Sequence, residues 1–286
     1  MFKQIFTKKK TICILAGILL VLIVWTAWGN TALERNAYTI SSRELPDAFD
    51  GYRIAQVSDL HNAEFGEGNE RLLDMLREAE PDMIAITGDL IDSRKTNIVV
   101  ALAFAKEAVK IAPCCYVSGN HEARVSEYPE LKTGLAAAGV TVLDDAQVKI
   151  EVSGESITVI GVNDPSFHAD YLTNDAEVMD RKLSELSSED AGFTLLLSHR
   201  PELFDTYVAH DMDLVLTGHA HGGQFRLPLI GGLVAPNQGL FPKYDDGLYS
   251  EGHTNMIVSR GLENSIIPVR FNNQPEVVLI ELESQD

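Results

Sequence analysis

Five short apolar runs in this chain each stop at a side chain able to hold a metal ion. Tyr52 to Ser58 runs into Asp59-Leu60-His61, Met83 to Thr87 into Gly88-Asp89, and Cys114 to Ser118 into Gly119-Asn120-His121-Glu122. Leu195 to Ser198 meets His199, and Leu214 to Thr217 meets Gly218-His219-Ala220-His221. Apolar runs this short, bounded by turn residues, read as strands buried on both faces. Strands that repeatedly end on Asp, Asn or His put those side chains on one rim of a sheet, where open α/β sheets gather their ligands. The strands must therefore lie side by side with their ends converging.

Helical spacing fills the gaps between them. Glu70 to Ala79 carries Leu72, Leu73 and Leu76 on one face and is closed by Pro81. Ile98 to Val109, Glu127 to Ala138 (stopped by Gly139) and Ala176 to Leu186 follow, with a short helix after Pro201. From Val148 the period changes to two. Val148–Val152 and Ser156–Ile160, joined by Ser153-Gly154-Glu155, read as a hairpin. Asn255–Ser259 and Glu276–Glu281 are closing strands, and the Gly- and Pro-rich segment 222–254 is a long functional loop. This order implies a central α/β layer with a second, mixed sheet.

The N-terminus carries Lys3 and Lys8-Lys9-Lys10, then 18 uncharged residues from Thr11 to Trp28. That length suits a membrane-crossing helix, and the preceding lysines leave the start of the chain in the cytoplasm and the remainder outside. A signal peptide cleaved near Ala27-Trp28-Gly29 is the alternative, although its apolar region would be unusually long. The expected organisation is an anchor over 1–30, a linker or edge strand over 31–50, centred on Ala37–Ile40, and one domain over 51–286. Residues 31–286 hold 19 basic against 42 acidic side chains, a net charge of -23. Such a surface disfavours nucleic acid and adhesion to anionic lipid, so a bound phosphate needs a local attraction, which cations supply. Cys13, Cys114 and Cys115 form neither a disulfide framework nor a zinc motif.

In an extended chain residues i and i+2 point the same way. Asp59 with His61, and His219 with His221, can then each reach one cation. Together with Asp89, Asn120 and His199 they make seven ligands of mixed nitrogen and oxygen character, suited to Mn, Fe or Zn rather than calcium. The ordered set Asp-x-His, Gly-Asp-x-x-Asp (Asp89 to Asp92), Gly-Asn-His-Glu, a later His and Gly-His-x-His resembles the calcineurin-like metallophosphoesterase family. The likeness spans residues 53–221, and the chain is most similar to membrane-attached or exported bacterial members. Their Gly-His-Thr-His-Gly-Gly-Gln run appears here with Ala220 in place of Thr, at a position that is not a ligand.

The resemblance implies a two-layer β-sandwich flanked by helices, four layers in all, and a phosphohydrolase with two metal ions. One ion would take Asp59, His61 and His221, the other Asn120, His199 and His219, with Asp89 bridging. His121 would protonate the departing alkoxide or bind the phosphoryl oxygen, and Asp92 would orient it. The expected substrate is a phosphodiester or pyrophosphate, lipid-linked or from the cell envelope. A metal-dependent binding protein without turnover and a nuclease are the rival readings. Among the remaining residues, Glu122 reads as a helix-start carboxylate, and His168, His210 and His253 as surface or core histidines. Arg226, Arg260 and Arg270 are open to a substrate headgroup or to ordinary ion pairs. Phe65, Phe167 and Tyr171 are open to a lipophilic pocket or to capping the core.

Overall fold

The computed structural model describes residues 2–168, 173–186, 192–264 and 269–285, with side chains from residue 10 onward. The first helix, α1 (Phe2–Gly29), contains one stretch, Lys10–Gly29, long and apolar enough to cross a membrane, and none of it is buried against the rest of the chain. Two main sheets follow, with twelve strands between them among the described residues. In chain order the first nine are β1 (Glu34–Ser42), β2 (Arg53–Val57), β3 (Met83–Thr87), β4 (Cys114–Val117), β5 (Thr141–Val142), β6 (Ala146–Val152), β7 (Glu155–Gly161), β8 (Thr194–Leu197) and β9 (Leu214–Thr217). Helices α2 (Glu70–Ala79), α3 (Ile98–Ala108), α4 (Tyr128–Ala138), α5 (Asp175–Leu186) and α6 (Phe204–Ala209) connect them.

One sheet has the order β1, the C-terminal strand Glu276–Ser284, β2, β3, β4, β5. The other runs Gly247–Glu251, Thr254–Val258, β9, β8, β7, β6. Pairs β2/β3, β3/β4, β7/β8 and β8/β9 are parallel, so the ends of β2, β3 and β4 share one edge, as do those of β8 and β9. Ile54, Met83 and Ala85 of the first sheet meet Leu195, Leu197 and Leu214 of the second in one fully apolar layer. The outer face of the first sheet is covered by α2, α3 and α4 through Leu72, Leu76, Phe104 and Leu131. That of the second is covered by α5 and α6 through Met179, Leu183 and Phe204. Each β-sheet is buried on both sides, which is why the central strands are continuously apolar. The expected four layers are therefore present.

Local signals set the helix ends. Asn97 caps α3 by accepting from Val99 N at 3.1 Å, and Gly139 closes α4 with φ +97°. The region 31–50 holds more than the short strand centred on Ala37–Ile40. β1 pairs in parallel along its whole length with the C-terminal strand, from Glu34↔Glu276 to Ser42↔Ser284. Segment 222–254 likewise contains two small hairpins, Arg226–Leu227 with Gly231–Gly232 and Val234–Ala235 with Gly239–Leu240, before Gly247–Glu251 joins the second sheet.

Candidate metal centre

The parallel strands end in loops that lean on one another. Asp59 N donates to Gly88 O and His61 N to Asp89 O, each at 3.0 Å, so the turn after β2 is hydrogen-bonded to the turn after β3. Gly218 N donates to His199 O at 3.2 Å, tying the β9 turn to that after β8. Below the rim, Gln56 of β2 donates to Thr87 Oγ1 at 3.0 Å and to Thr217 O at 2.8 Å, joining the two sheets. Gly88 adopts φ +92°, and a Cβ there would stand 2.7 Å from His199 Nδ1 and 2.8 Å from Gly119 Cα. Only a glycine lets the β3 turn pass this close to its neighbours.

The turns are tighter than an extended chain. Asp59, His61, Asp89, His219 and His221 all have φ between +45° and +65°, a left-handed backbone that side chains other than Gly, Asn and Asp rarely adopt. The extended-chain expectation that His219 and His221 reach one cation together is therefore corrected. The turn sends them to opposite ends of the cluster: His221 groups with Asp59 and His61, His219 with Asp89 and His199, each set with ligand atoms within 4.8 Å of one another. Asp59 and His61 do face a common point, through a left-handed turn.

Hydrogen bonds select the nitrogen each imidazole presents. His199 Nδ1 lies 2.8 Å from Thr87 O and His221 Nδ1 2.9 Å from Glu263 O. A carbonyl only accepts, so both Nδ1 atoms carry hydrogen and Nε2 faces the cluster. His199 Nε2 is 3.2 Å from Asp89 Oδ2, and His221 Nε2 is 3.3 Å from Asp59 Oδ1. His219 presents Nδ1, 3.2 Å from His199 Nε2, while its Nε2 sits 3.4 Å from Asn237 Oδ1. Asp89 Oδ2 also lies 3.7 Å from His61 Nε2, between the two groups. Asn120 Oδ1 and both ring nitrogens of His61 are buried without a hydrogen-bond partner among the described residues. Unpaired buried polar atoms cost about 1–3 kcal/mol each. Cations bound among these N and O donors could satisfy Asn120 Oδ1 and the His61 Nε2 that faces Asp59 and Asp89, so the donor set fits two ions.

Charge distribution points the same way. Burial pushes His61 down to about 4, with smaller opposing effects from Asp89 and Asp59, and it also lowers His221. His199 goes the other way: burial opposes its charge, but Asp89 and then Asp59 overcome that and raise it to about 10. At neutral pH the metal-free centre therefore holds His61 and His221 neutral and His199 protonated. A ligand must be unprotonated, so filling the His199 side releases about one proton and its affinity rises about tenfold per pH unit below 10. Calorimetry in buffers of different ionisation enthalpy measures this. No proton release at pH 7 would show that His199 is neutral before metal arrives.

Glu122 begins the short helix Glu122–Arg124, but its carboxylate reaches other loops. It accepts from Asp89 N at 3.0 Å, Gly119 N at 2.9 Å and Ile91 N at 3.3 Å. Burial, and then Asp89, push it up to about 8, against backbone donors that favour its charge. Glu122→Ala strands these donors, and a stability loss of about 3 kcal/mol is expected in chelator, by denaturant unfolding. A loss below about 1 kcal/mol would mean that solvent replaces the carboxylate.

His121 stands beside the cluster, its ring centroid 4.5 Å from that of His61. Its Nδ1 accepts the N–H of Ser93 at 3.0 Å and lies 3.6 Å from Asp92 Oδ1. Asp92 itself is gripped by Arg94, whose Nε and Nη2 donate at 3.0 and 2.8 Å. Partial burial opposes that charge, and Arg94 overcomes it, holding Asp92 below the usual carboxylate range. The three arginines have protein partners. Arg226 pairs with Asp245 and Asp246, and Arg260 with Glu276 and Glu34, each within 3.0 Å. Arg270 is buried and donates to the carbonyls of Gly261, Arg260 and Glu263 at 3.1, 2.7 and 2.6 Å. It thereby braces Glu263, which fixes the His221 tautomer. Phe65 and Phe167 pack into the helix-covered core, Phe167 5.0 Å from the Tyr128 ring. Tyr171 lies outside the described residues. His210 pairs with Asp180 at the surface and His253 faces Asp211.

Two supporting roles had no sequence signal. Asn237, in the Gly- and Pro-rich segment, and Arg270 support ligands without belonging to any spaced motif. Glu122 did carry a signal, its place in Gly-Asn-His-Glu.

A sandwich of two mixed sheets with Asp and His side chains converging at one edge, in sets that could hold metal ions, is the arrangement of a dimetal phosphoesterase. The chain belongs to the calcineurin-like phosphoesterases, whose family model matches residues 52–223. It is 31% identical over 260 residues to the uncharacterized metallophosphoesterase YkuE of Bacillus subtilis, covering 88% of this chain and 86% of that protein. It is 26% identical to the phosphodiesterase YaeI of Escherichia coli over 237 residues, covering 81% and 82% of the two chains. The crystal structure of TT1561 of Thermus thermophilus superposes with a TM-score of 0.52 at 16% identity, covering 74% of this chain and 90% of that one, a likeness of fold.

Proposed function

We propose that this metallophosphoesterase is a membrane-anchored phosphodiesterase. α1 crosses the bilayer with Lys8-Lys9-Lys10 on the cytoplasmic side, residues 51–286 form the catalytic domain outside, and the substrate is a phosphodiester or pyrophosphate of lipid-linked or envelope material. The observation that carries the reading is the cluster of Asp59, His61, Asp89, His199, His219 and His221, with both His61 nitrogens and Asn120 Oδ1 buried and without a hydrogen-bond partner among the described residues. Asp59, His61 and His221 would hold one ion, Asn120, His199 and His219 the other, and Asp89 both. When bound, two such ions activate water and neutralise phosphoryl charge.

The protein side chains have the remaining work. His121 takes the Ser93 N–H at Nδ1, which puts the hydrogen of the neutral ring on Nε2, free to donate to a phosphoryl or leaving oxygen. Asp92 Oδ1, 3.6 Å from the same Nδ1, is placed to orient the ring once Nδ1 turns from Ser93. The phosphodiesterase named among the relatives supports diester over monoester cleavage.

The test is hydrolysis of bis(p-nitrophenyl) phosphate against p-nitrophenyl phosphate by the full chain, with Mn, Fe or Zn and with chelator. Metal-dependent turnover with the diester preferred is expected. Absence of turnover with every metal and both substrates would favour a metal-dependent binding protein instead.

A further inference from the structure

Segment 222–254 carries an apolar surface that the hydrolytic centre does not use. Leu229 is fully exposed at the tip of the first hairpin, with Ile230 at 60%, and Leu240 (74%) and Phe241 (64%) end the second. Leu229 and Phe241 also hold φ +68° and +55°, a left-handed backbone that is costly for bulky residues. Single exposed leucines are ordinary, whereas four large apolar side chains on adjoining hairpins call for a partner.

The fold indicates what covers them. α1 ends at Gly29, and the next residue, Asn30, donates to Arg270 O at 2.8 Å and accepts from Arg270 N at 2.8 Å. Phe271 bridges Phe225, and Arg226 N donates to Phe271 O at 3.0 Å, so the first hairpin starts from the strip that grips the helix end. Between the hairpin strands, Asn237 of the second hairpin turn approaches His219 of the centre. One strip thus joins the apolar helix, the exposed hairpins and the ligand loop. A net charge of -23 on residues 31–286 gives little electrostatic pull toward anionic lipid, so apolar insertion is the attraction left to this surface.

We infer that the two hairpins rest in the outer part of the leaflet from which α1 emerges, with Leu229, Ile230, Leu240 and Phe241 among the acyl chains. This rests on the proposed reading of α1 as a membrane span. The centre is then held at headgroup level, and its substrate class is the phosphoester headgroup of a membrane-resident amphiphile, cleaved without leaving the bilayer.

Nitroxides at Leu229→Cys and Phe241→Cys, in the full chain in phosphatidylcholine nanodiscs, test the placement without any need for turnover. Cys13→Ser clears the background, because burial raises Cys114 and Cys115 to about 12 and 11. Probes at 229 and 241 are expected to relax with oxygen rather than with water-soluble nickel, as does a probe at Val21→Cys in α1, while Glu151→Cys responds to nickel. Probes at 229 and 241 that match Glu151→Cys overturn the inference, and if Val21→Cys stays deep the anchor reading survives. Spin–spin broadening between copies would assign the surface to a second chain and also overturn it. Leu229→Ser with Phe241→Ser should lower hydrolysis of a vesicle-embedded phosphodiester at least about tenfold and leave bis(p-nitrophenyl) phosphate within about twofold. An equal fall on both overturns the substrate assignment.

Discussion

Asp89→Asn is expected to empty the centre of both ions and to lower kcat/KM by at least about a thousandfold, near 4 kcal/mol of transition-state stabilisation. The residue has two jobs that separate cleanly. Its Oδ1 accepts from His121 N at 2.8 Å, a bond an amide oxygen can keep, so the turn survives. Its Oδ2 lies 3.2 Å from His199 Nε2 and 3.7 Å from His61 Nε2, one residue of each group, and there the proposed bridge would need the negative charge. Asparagine would remove that charge from between the two proposed cations and could direct N–H donors at them instead. Elemental analysis after exchange into metal-free buffer, alongside turnover with Mn restored, reads both effects. Unchanged metal content would remove the bridge from the scheme.

His121→Ala should separate chemistry from metal binding. His121 lies against His61 but takes its own hydrogen bond from Ser93, so both ions are expected to remain. Loss of a proton donor costs about 10²–10⁴ in rate, and most where the leaving group is a poor one. An alkyl phosphodiester should therefore lose about a hundredfold or more, and bis(p-nitrophenyl) phosphate, which departs as a stable phenolate, much less. Equal losses on the two substrates would assign His121 to phosphate binding.

Much of this site could be read from residue order because buried parallel strands are written as uninterrupted apolar runs, and Asp, Asn and His stand out where such runs stop. Gly139 marked the end of α4 in the same local way, whereas the Asn97 cap of α3 is seen only in the structure. The rest depends on partners remote in the chain. β1 alternates half-buried and exposed residues at an edge, and its extent is set by pairing with a strand more than 230 residues away. The two-residue strands of segment 222–254 are too short to carry any period. The split of His219 from His221 comes from positive φ values, which no spacing rule contains. Arg226 and Arg260 were undecided as sequence, since each needed a specific carboxylate, and the fold supplies Asp245 and Glu276.

The most direct measurement is anomalous scattering from crystals of the Mn-loaded protein. Two peaks are expected about 3.5–4 Å apart, with Asp59, His61 and His221 around one, Asn120, His199 and His219 around the other, and Asp89 touching both. A single peak, or a pair bound elsewhere on the chain, would contradict the two-ion centre.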